Sequence, residues 1–538
     1  MMTTPPPPLT DQALDLLLLN MRQERFSYHE TIGKRTMAKN ATWTYSTPCA
    51  TVAMVQESTP TLLAARALAK AGYVTLAWES LRAFFAGQRD DGFVPKYRYD
   101  LTQVSEDDDY YLNQTTIPGP ELGSLLSALP LHASVVLEVF AWSKQSEDDL
   151  QHLVDLYRSI YRYHQYMIDH RPHVWHPWET LWDVHSWIEP LSEIRSHMQA
   201  AQWKVPFEVP LQVSQSYDYL PEVYEPCIYL LECYKNSTKN TSTISECPLP
   251  PRFWSVEYAA IWVQAHQDLI QMRRVLNDRH MDRLLTTIDA ELPSKWLTAA
   301  QQQLDSLWNN DFQSFLPKRE NESVVVPDAS NFVGLWPLSS NTSHVYNLAS
   351  KLLQRDDTDF AFDCGVHAVW SQGGCKETSS ISPLLNYLIT TGLYRNDVRG
   401  IGYYVANATT NHLFPDNVVL DFPFAFNATT GLPFAHMDAC ALASTTTAAV
   451  VYNLATPNPP RIFHADPPIR SSGVIVLIIV ELVVAFAIGA SCLFLNLKIL
   501  RASSRIVREE VEREDGFFST TGSLGEHRYE AVTDDADE

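Results

Sequence analysis

The densest chemistry in the chain lies in HPWETLWDVHSWIEP, residues 176–190. The segment gathers carboxylates, two histidines (His176, His185) and three tryptophans (Trp178, Trp182, Trp187). That mixture suits a sugar, because aromatic faces stack on the C–H side of a pyranose while a carboxylate binds hydroxyls and can protonate a glycosidic oxygen. Composition alone leaves a second reading open, a buried aromatic loop whose acids are satisfied internally. The sequence has no CxxC pair and no Cys/His cluster, so no metal site is expected. No cofactor is called for either.

A segment of this kind must be held by a scaffold, and the scaffold reads as helical. From about residue 10 to 455 a helical period dominates, in pairs of runs separated by Gly/Pro/Asp loops. Thr59-Pro60 opens a helix through LLAARALAKAG, with proline in the first turn, where its missing N–H does no harm, and Gly72 at the end. A second helix, VTLAWESLRAFFAGQ, follows and is broken by DDGFVP. Ser146 and Asp149 have the spacing of a capping box, and behind them Leu150, Leu153, Val154, Tyr157, Ile160 and Tyr161 share one helical face. Further helical runs are expected at 256–279, 293–308, 344–354, 381–393 and 396–406, and strand alternation only in short pieces such as Ser323–Val326. Paired helices without a parallel-sheet signal imply an all-α fold, in which a toroid of helix pairs carries its functional residues in the loops at one end.

Composition narrows the function. A formal charge of -23 removes nucleic acid from consideration, since phosphate binding needs a basic footprint. Residues 473–497 form an apolar run of about 25 residues, long enough for a tilted transmembrane helix. Glu481 lies inside that run, where a carboxylate is either protonated or engaged with a partner helix. Lys498, Arg501, Arg505 and Arg508 follow the run, which puts the acidic tail in the cytosol and the main domain on the luminal or extracellular side. Glycosylation sequons agree: Asn40, Asn113, Asn236, Asn240, Asn321 and Asn341 are expected sites, while Asn407 and Asn427 are set aside as near the pocket. Cys49, Cys227, Cys233, Cys247, Cys364, Cys375 and Cys440 precede the span, an odd number, so one thiol stays unpaired. The first twenty residues lack the basic region of a signal peptide, and the expectation is that the coding sequence starts further upstream. The expected divisions are an extension with a first helix over 1–39, a helical domain over 40–455, a proline-rich stalk over 456–472, the span over 473–497 and a tail over 498–538.

Residues 176–185 resemble the HPWESGMDNS-type motif of glycoside hydrolase family 63 and its mannosylglycerate hydrolase-like relatives. Other landmarks appear in order. AFFAGQRDDGFVPKY (83–97) is similar to the family's Q-x-x-DGFIPH stretch, LPLHASVVLEVF (129–140) to a pocket-lining helix, and LWNNDFQSFLP (307–317) to its LW turn. SPLLNYLITTGL (382–393) resembles WPPLNYLLYRGL, and FPFAFNATTGLPF (422–434) resembles F-x-E-Y-Y-D-P-x-T-G. The resemblance covers about residues 40–455 and implies an (α/α)6 barrel that cleaves α-glucosidic or α-mannosidic bonds with inversion. It implies Asp183 as general acid and His176, Trp178, Glu179, His132 and Asn386 as substrate-binding residues. Burial among the tryptophans would keep such an acid protonated near neutral pH.

The chain departs from this pattern at the second carboxylate. The family's general base falls on Phe424, which cannot take a proton; Asp421, Asp416 and Asp438 lie near it in sequence, and Asp421 is the replacement chosen here. The family's Arg and Trp before LLNYL become Thr378 and Ser382, and Thr445 stands for a later Trp. Two functions therefore remain: a membrane-tethered glycosidase, and a non-catalytic relative that binds glycan or a partner protein.

Overall fold

In a computed structural model the chain divides into two units, Met1–Phe463 and His464–Glu538. The structure describes residues 8–19, 21–32, 35–44, 54–95, 97–99, 129–170, 253–285, 288–319, 322–323, 329–339, 341–352, 380–414, 422–423, 426–427, 432 and 445–456. All belong to the first unit.

Helices appear where the periodicity places them. They are α1 (Leu9–Leu19), α2 (Ser58–Lys70), α3 (Val74–Phe85), α4 (His132–Trp142), α5 (Glu147–His170), α6 (Val256–Asp278), α7 (Leu292–Ser306), α8 (Thr342–Lys351), α9 (Pro383–Arg395), α10 (Arg399–Asn407) and α11 (Thr445–Ala455). A 3-10 helix, Ala329–Leu335, stands between α7 and α8. Local chemistry explains several of the ends. The Ser146 backbone N–H donates to Asp149 Oδ2 at 2.9 Å and the Asp149 N–H donates back to Ser146 Oγ at 3.3 Å, the reciprocal pattern of a capping box at the start of α5. Ser382 caps α9 by accepting the Leu385 N–H, with Pro383 in the first turn.

Burial separates two kinds of helix. Ser58 to Ala69 of α2 are all buried, as is most of α4, α9 and α11. By contrast α7 buries only Pro293, Ala300 and Leu304, and α10 only Gly402, Val405 and Ala406. The buried elements pack in a ring, α2 on α4, α4 on α6, α6 on the 3-10 helix, that helix on α9, α9 on α11 and α11 back on α2. Each half-buried helix packs outside: α1 on α11, α3 on α2, α5 on α4, α7 on α6, α8 on the 3-10 helix and α10 on α9. Along the chain outer and inner elements alternate without exception among the described residues, which is the arrangement of a six-fold toroid of helix pairs.

Short antiparallel ribbons decorate the helices. The longest, β1 (Met21–Ile32) with β2 (Arg35–Thr44), runs across residue 40, where the sequence led us to place a domain boundary. α1 also belongs with the toroid rather than with an extension, since Ala13 and Leu17 are buried in the common core. β3 (Met54–Glu57) pairs with β4 (Tyr97–Tyr99) and leads directly into α2. Among the described residues no helix is long and apolar enough to cross a membrane; residues 473–497 lie outside them, as do all the cysteines.

Candidate functional site

Connection lengths decide which end of the toroid can hold a site. The inner elements from α2 to α9 pass to their outer partners through the shorter links, such as Ala71–Tyr73 between α2 and α3 or Asn396–Val398 between α9 and α10, while α11 packs on α1, which precedes it in the chain. Short links make antiparallel pairs, so all the inner elements run the same way. The long connections run from outer back to inner, and all of them arrive at the N-terminal ends of the inner helices. His176, Trp178, Glu179 and Asp183 fall in the connection from α5 to α6, and Asp421 in that from α10 to α11. These five residues lie outside the described residues.

His132 and Asn386, the other two expected binding residues, are described, and both stand at this same end. His132 is the first residue of α4 and Asn386 lies in the first turn of α9. Both are fully buried, and neither ring nitrogen of His132 nor either amide atom of Asn386 has a hydrogen-bond partner among the described residues. The His132 ring is clamped by Phe84 and Phe85, each with centroids 5.4 Å away, and by the edge of Tyr163 at 5.0 Å. Burial lowers its pKa to about 3, so the imidazole is neutral and can donate through one nitrogen and accept through the other. Ser58, which opens α2, and Thr390, one turn below Asn386, add two more buried hydroxyls without partners among the described residues. Unpaired polar groups of this kind are rare in folded proteins and concentrate at functional sites.

Two further imidazoles sit beside this group. His164 of α5 and His266 of α6 approach Nδ1 to Nδ1 at 3.2 Å, with Trp262 against both rings. Burial lowers the pKa of His266 to about 3 and pushes that of His164 well down, with His266 and His132 adding to the effect on His164. Neither was singled out from the sequence, although His164 continues the stripe through Ile160 and Tyr161 by one more helical step.

The QRDDGF turn is structural. Gln88 donates to the Gly92 and Ser159 carbonyls at 2.8 and 2.7 Å, fastening the turn to α5. Gly92 has φ +100° and presses on the Arg162 carbonyl, where a Cβ would come within 2.6 Å.

Below this end the inner helices are filled by charge. Arg66 of α2 pairs with Glu138 of α4, Arg395 of α9 approaches the same carboxylate at 3.6 Å, and Asp268 of α6 accepts from Ser134 and, at 2.8 Å, from Gln264. Arg395 also lies over the Trp336 ring, 3.9 Å from its centroid. Burial lowers the pKa of both arginines and raises that of Asp268, while Arg395 and Asp268 each favour the other's charged form. Two basic side chains thus face two acidic ones. At the far end Lys70 donates to the Asn453 and Thr456 carbonyls at 2.9 and 2.8 Å, joining the last turn of α2 to the end of α11. Among the described residues no cluster of three His, Cys, Asp or Glu is arranged to hold a metal.

Residues 55–370 match the family model of the mannosylglycerate hydrolase MGH1-like glycoside hydrolase domain. The chain belongs to that family. Its resemblance to glycoside hydrolase family 63 extends to solved structures. A GH63 mannosylglycerate hydrolase from Thermus thermophilus in complex with glucose superposes with a TM-score of 0.60 at 15% identity, covering 84% of this chain and 100% of that one. The same hydrolase in complex with Tris and D-glycerate gives 0.58 at 16% identity over the same shares. An uncharacterized conserved protein from Thermus thermophilus gives 0.60 at 15%, again covering 84% and 100%. No curated protein matches the chain in sequence. The family-63 assignment thus carries the helical toroid and its glycosidase ancestry.

Of the expected glycosylation sites, Asn341 is described with its side chain: it is exposed and caps α8 by accepting the Ser343 and His344 N–H groups. Asn40 is described only as backbone in β2, and Asn113, Asn236, Asn240 and Asn321 lie outside the described residues.

Proposed function

We propose that this family-63 chain is a membrane-anchored glycoside hydrolase acting on α-linked glucosyl or mannosyl carbohydrate with inversion. The observation that carries the proposal is the set of buried, unpartnered polar groups, His132 and Asn386 foremost, at the one end of the toroid that receives the long connections. A pyranose offers hydroxyls that both donate and accept, which a neutral imidazole and a carboxamide match. The named activity of the bacterial relatives, mannosylglycerate hydrolysis, supports an α-glycosidic substrate. In this reading Asp183 protonates the departing oxygen and Asp421 takes a proton from water on the opposite face of the sugar; inversion needs the two roughly 6.5–9.5 Å apart. His132, held neutral by burial, orients the sugar and does not carry the proton.

The test is release of sugar from a panel of α-mannosides and α-glucosides by the full chain. Activity abolished in both Asp183→Asn and Asp421→Asn is the expected result; activity intact in either variant removes that residue from the mechanism. Phe424, standing where the family has its general base, supports a second reading, a non-catalytic glycan binder. That reading is preferred if no sugar is released from the panel while glycan binding persists and weakens in Asn386→Leu.

The anchor is part of the same proposal. Residues 473–497 span the bilayer with the main domain luminal or extracellular and the tail cytosolic, and Glu481 contacts a partner helix. Protease added outside sealed vesicles is expected to remove the tail and leave the domain intact.

A further inference from the structure

Among the described residues the exposed large apolar side chains are Tyr73, Leu338, Tyr346, Tyr403, Tyr404 and Leu432. All except Tyr73 lie within five residues of a sequon asparagine: Leu338 and Tyr346 flank Asn341, Tyr403 and Tyr404 precede Asn407, and Leu432 follows Asn427. Scattered apolar residues on a surface need no explanation, but ones gathered at sequons do.

α10 shows the relation most fully. It packs on α9 through Gly402, Val405 and Ala406, and its other face carries Tyr403, 68% exposed, and Tyr404, 39% exposed. Asn407 follows them by four and three residues, the spacings that bring helical side chains together, roughly 5–6 Å between Cβ atoms. The Asn407 amide is already turned: its Oδ1 accepts from Asn411 Nδ2 at 2.7 Å, and its Nδ2 has no partner among the described residues. Asn341 is turned the same way, its Oδ1 accepting from Ser343 and His344 while Nδ2 is left over. From sequence Asn407 reads as near the pocket, and it does end an outer helix at the end that receives the long connections; that helix also carries an exposed aromatic face.

We propose that Asn407 is an N-glycosylation site and that the first sugar of its glycan lies across Tyr403 and Tyr404. This rests on the luminal or extracellular placement proposed above. In the transfer, C1 of an oligosaccharide carried on a lipid pyrophosphate forms a bond to Nδ2, and the C1–O bond to the pyrophosphate breaks. The pyrophosphate leaves with the electron pair, and one Nδ2 proton passes to a base. Thr409, the sequon hydroxyl, is buried in the folded chain and donates to the Val405 carbonyl at 2.8 Å, so transfer precedes folding of α10.

The test uses the full chain from a eukaryotic secretory host. Enzymatic deglycosylation in heavy-oxygen water marks each occupied asparagine as a labelled aspartate, read by peptide mass. Label at both Asn341 and Asn407 is the expected result. Label at Asn341 without Asn407 overturns this inference and leaves the topology standing; label at no sequon overturns both. Oxidative footprinting then reads the cover: Tyr403 and Tyr404 should react about threefold more slowly with the glycan present, the scale of one exposed stacking contact. Equal rates before and after deglycosylation mean that the glycan does not lie on this face.

Discussion

The two ends of the toroid handle most of their buried polarity in different ways. Towards the C-terminal ends of the inner helices, Arg66, Glu138, Arg395 and Asp268 meet as two basic and two acidic side chains, linked by ion pairs and by hydrogen bonds from Ser134 and Gln264, and Asn453 towards the same end repeats the unpartnered amide of the other end among the described residues. At the N-terminal ends, Ser58, His132, Asn386 and Thr390 are neutral and have no hydrogen-bond partner among the described residues. Removing one partner from a balanced network leaves a buried charge, whereas removing an unpartnered group leaves nothing behind. In the function proposed above, the lower end serves the fold and the upper end gives up stability for binding.

Acid should break the upper end first, and this is the largest effect expected. With folded values of about 3 for His132 and His266, and with His164 pushed well below its ordinary value by burial, the unfolded chain, titrating near 6.5, binds more protons than the native one in between. The stability these neutral imidazoles contribute is complete above about pH 6.5 and is lost as pH falls towards 3, by up to about 4 kcal/mol per unit when all three act together. Denaturant melts at stepped pH measure the slope, and a flat profile from pH 7 to 4 would remove the buried imidazoles from the account.

Breaking the lower end by mutation comes next. Glu138→Ala leaves Arg66 and Arg395 buried without their shared anion and is expected to cost about 3–5 kcal/mol. Loss below about 1 kcal/mol in the denaturant midpoint would mean that the network is not a unit. The opposite sign is expected above: Asn386→Leu removes two unpaired groups and should raise stability by about 1–2 kcal/mol while weakening sugar binding. A destabilised Asn386→Leu that still binds sugar normally would erase the contrast between the ends. Smallest is Ser146→Ala, which uncaps α5 and should cost about 1 kcal/mol without touching glycan binding.

How much of this was legible in the sequence depends on the distance over which each signal acts. The α5 cap, the Pro383 start and the QRDDGF turn are local, and the residues that make them are neighbours in the chain. The charged network joins four helices far apart in sequence, so no window contains it. Its only trace is a charge embedded in an otherwise apolar helix, Arg66 in LLAARALAKAG and Glu138 in HASVVLEVFAW. The β1–β2 ribbon went unread because polar residues such as Arg22, Gln23 and Glu24 blur its alternation. His132 and Asn386 were reached only through resemblance, since a buried histidine without a partner looks like any other core histidine until its surroundings are seen.

Lys70 has a consequence for how the molecule is made. Its bond to the Asn453 carbonyl spans 383 residues, and the ring of inner helices has no seal between α2 and α11 until that bond can form. A ribosome has emitted almost the whole domain before the apolar face of α2 finds its last neighbour. Contacts so distant in sequence are slow to form and leave apolar surface waiting. The newborn chain should thus depend on chaperones for most of its synthesis, and truncations that stop short of α11 should aggregate instead of giving a smaller active domain.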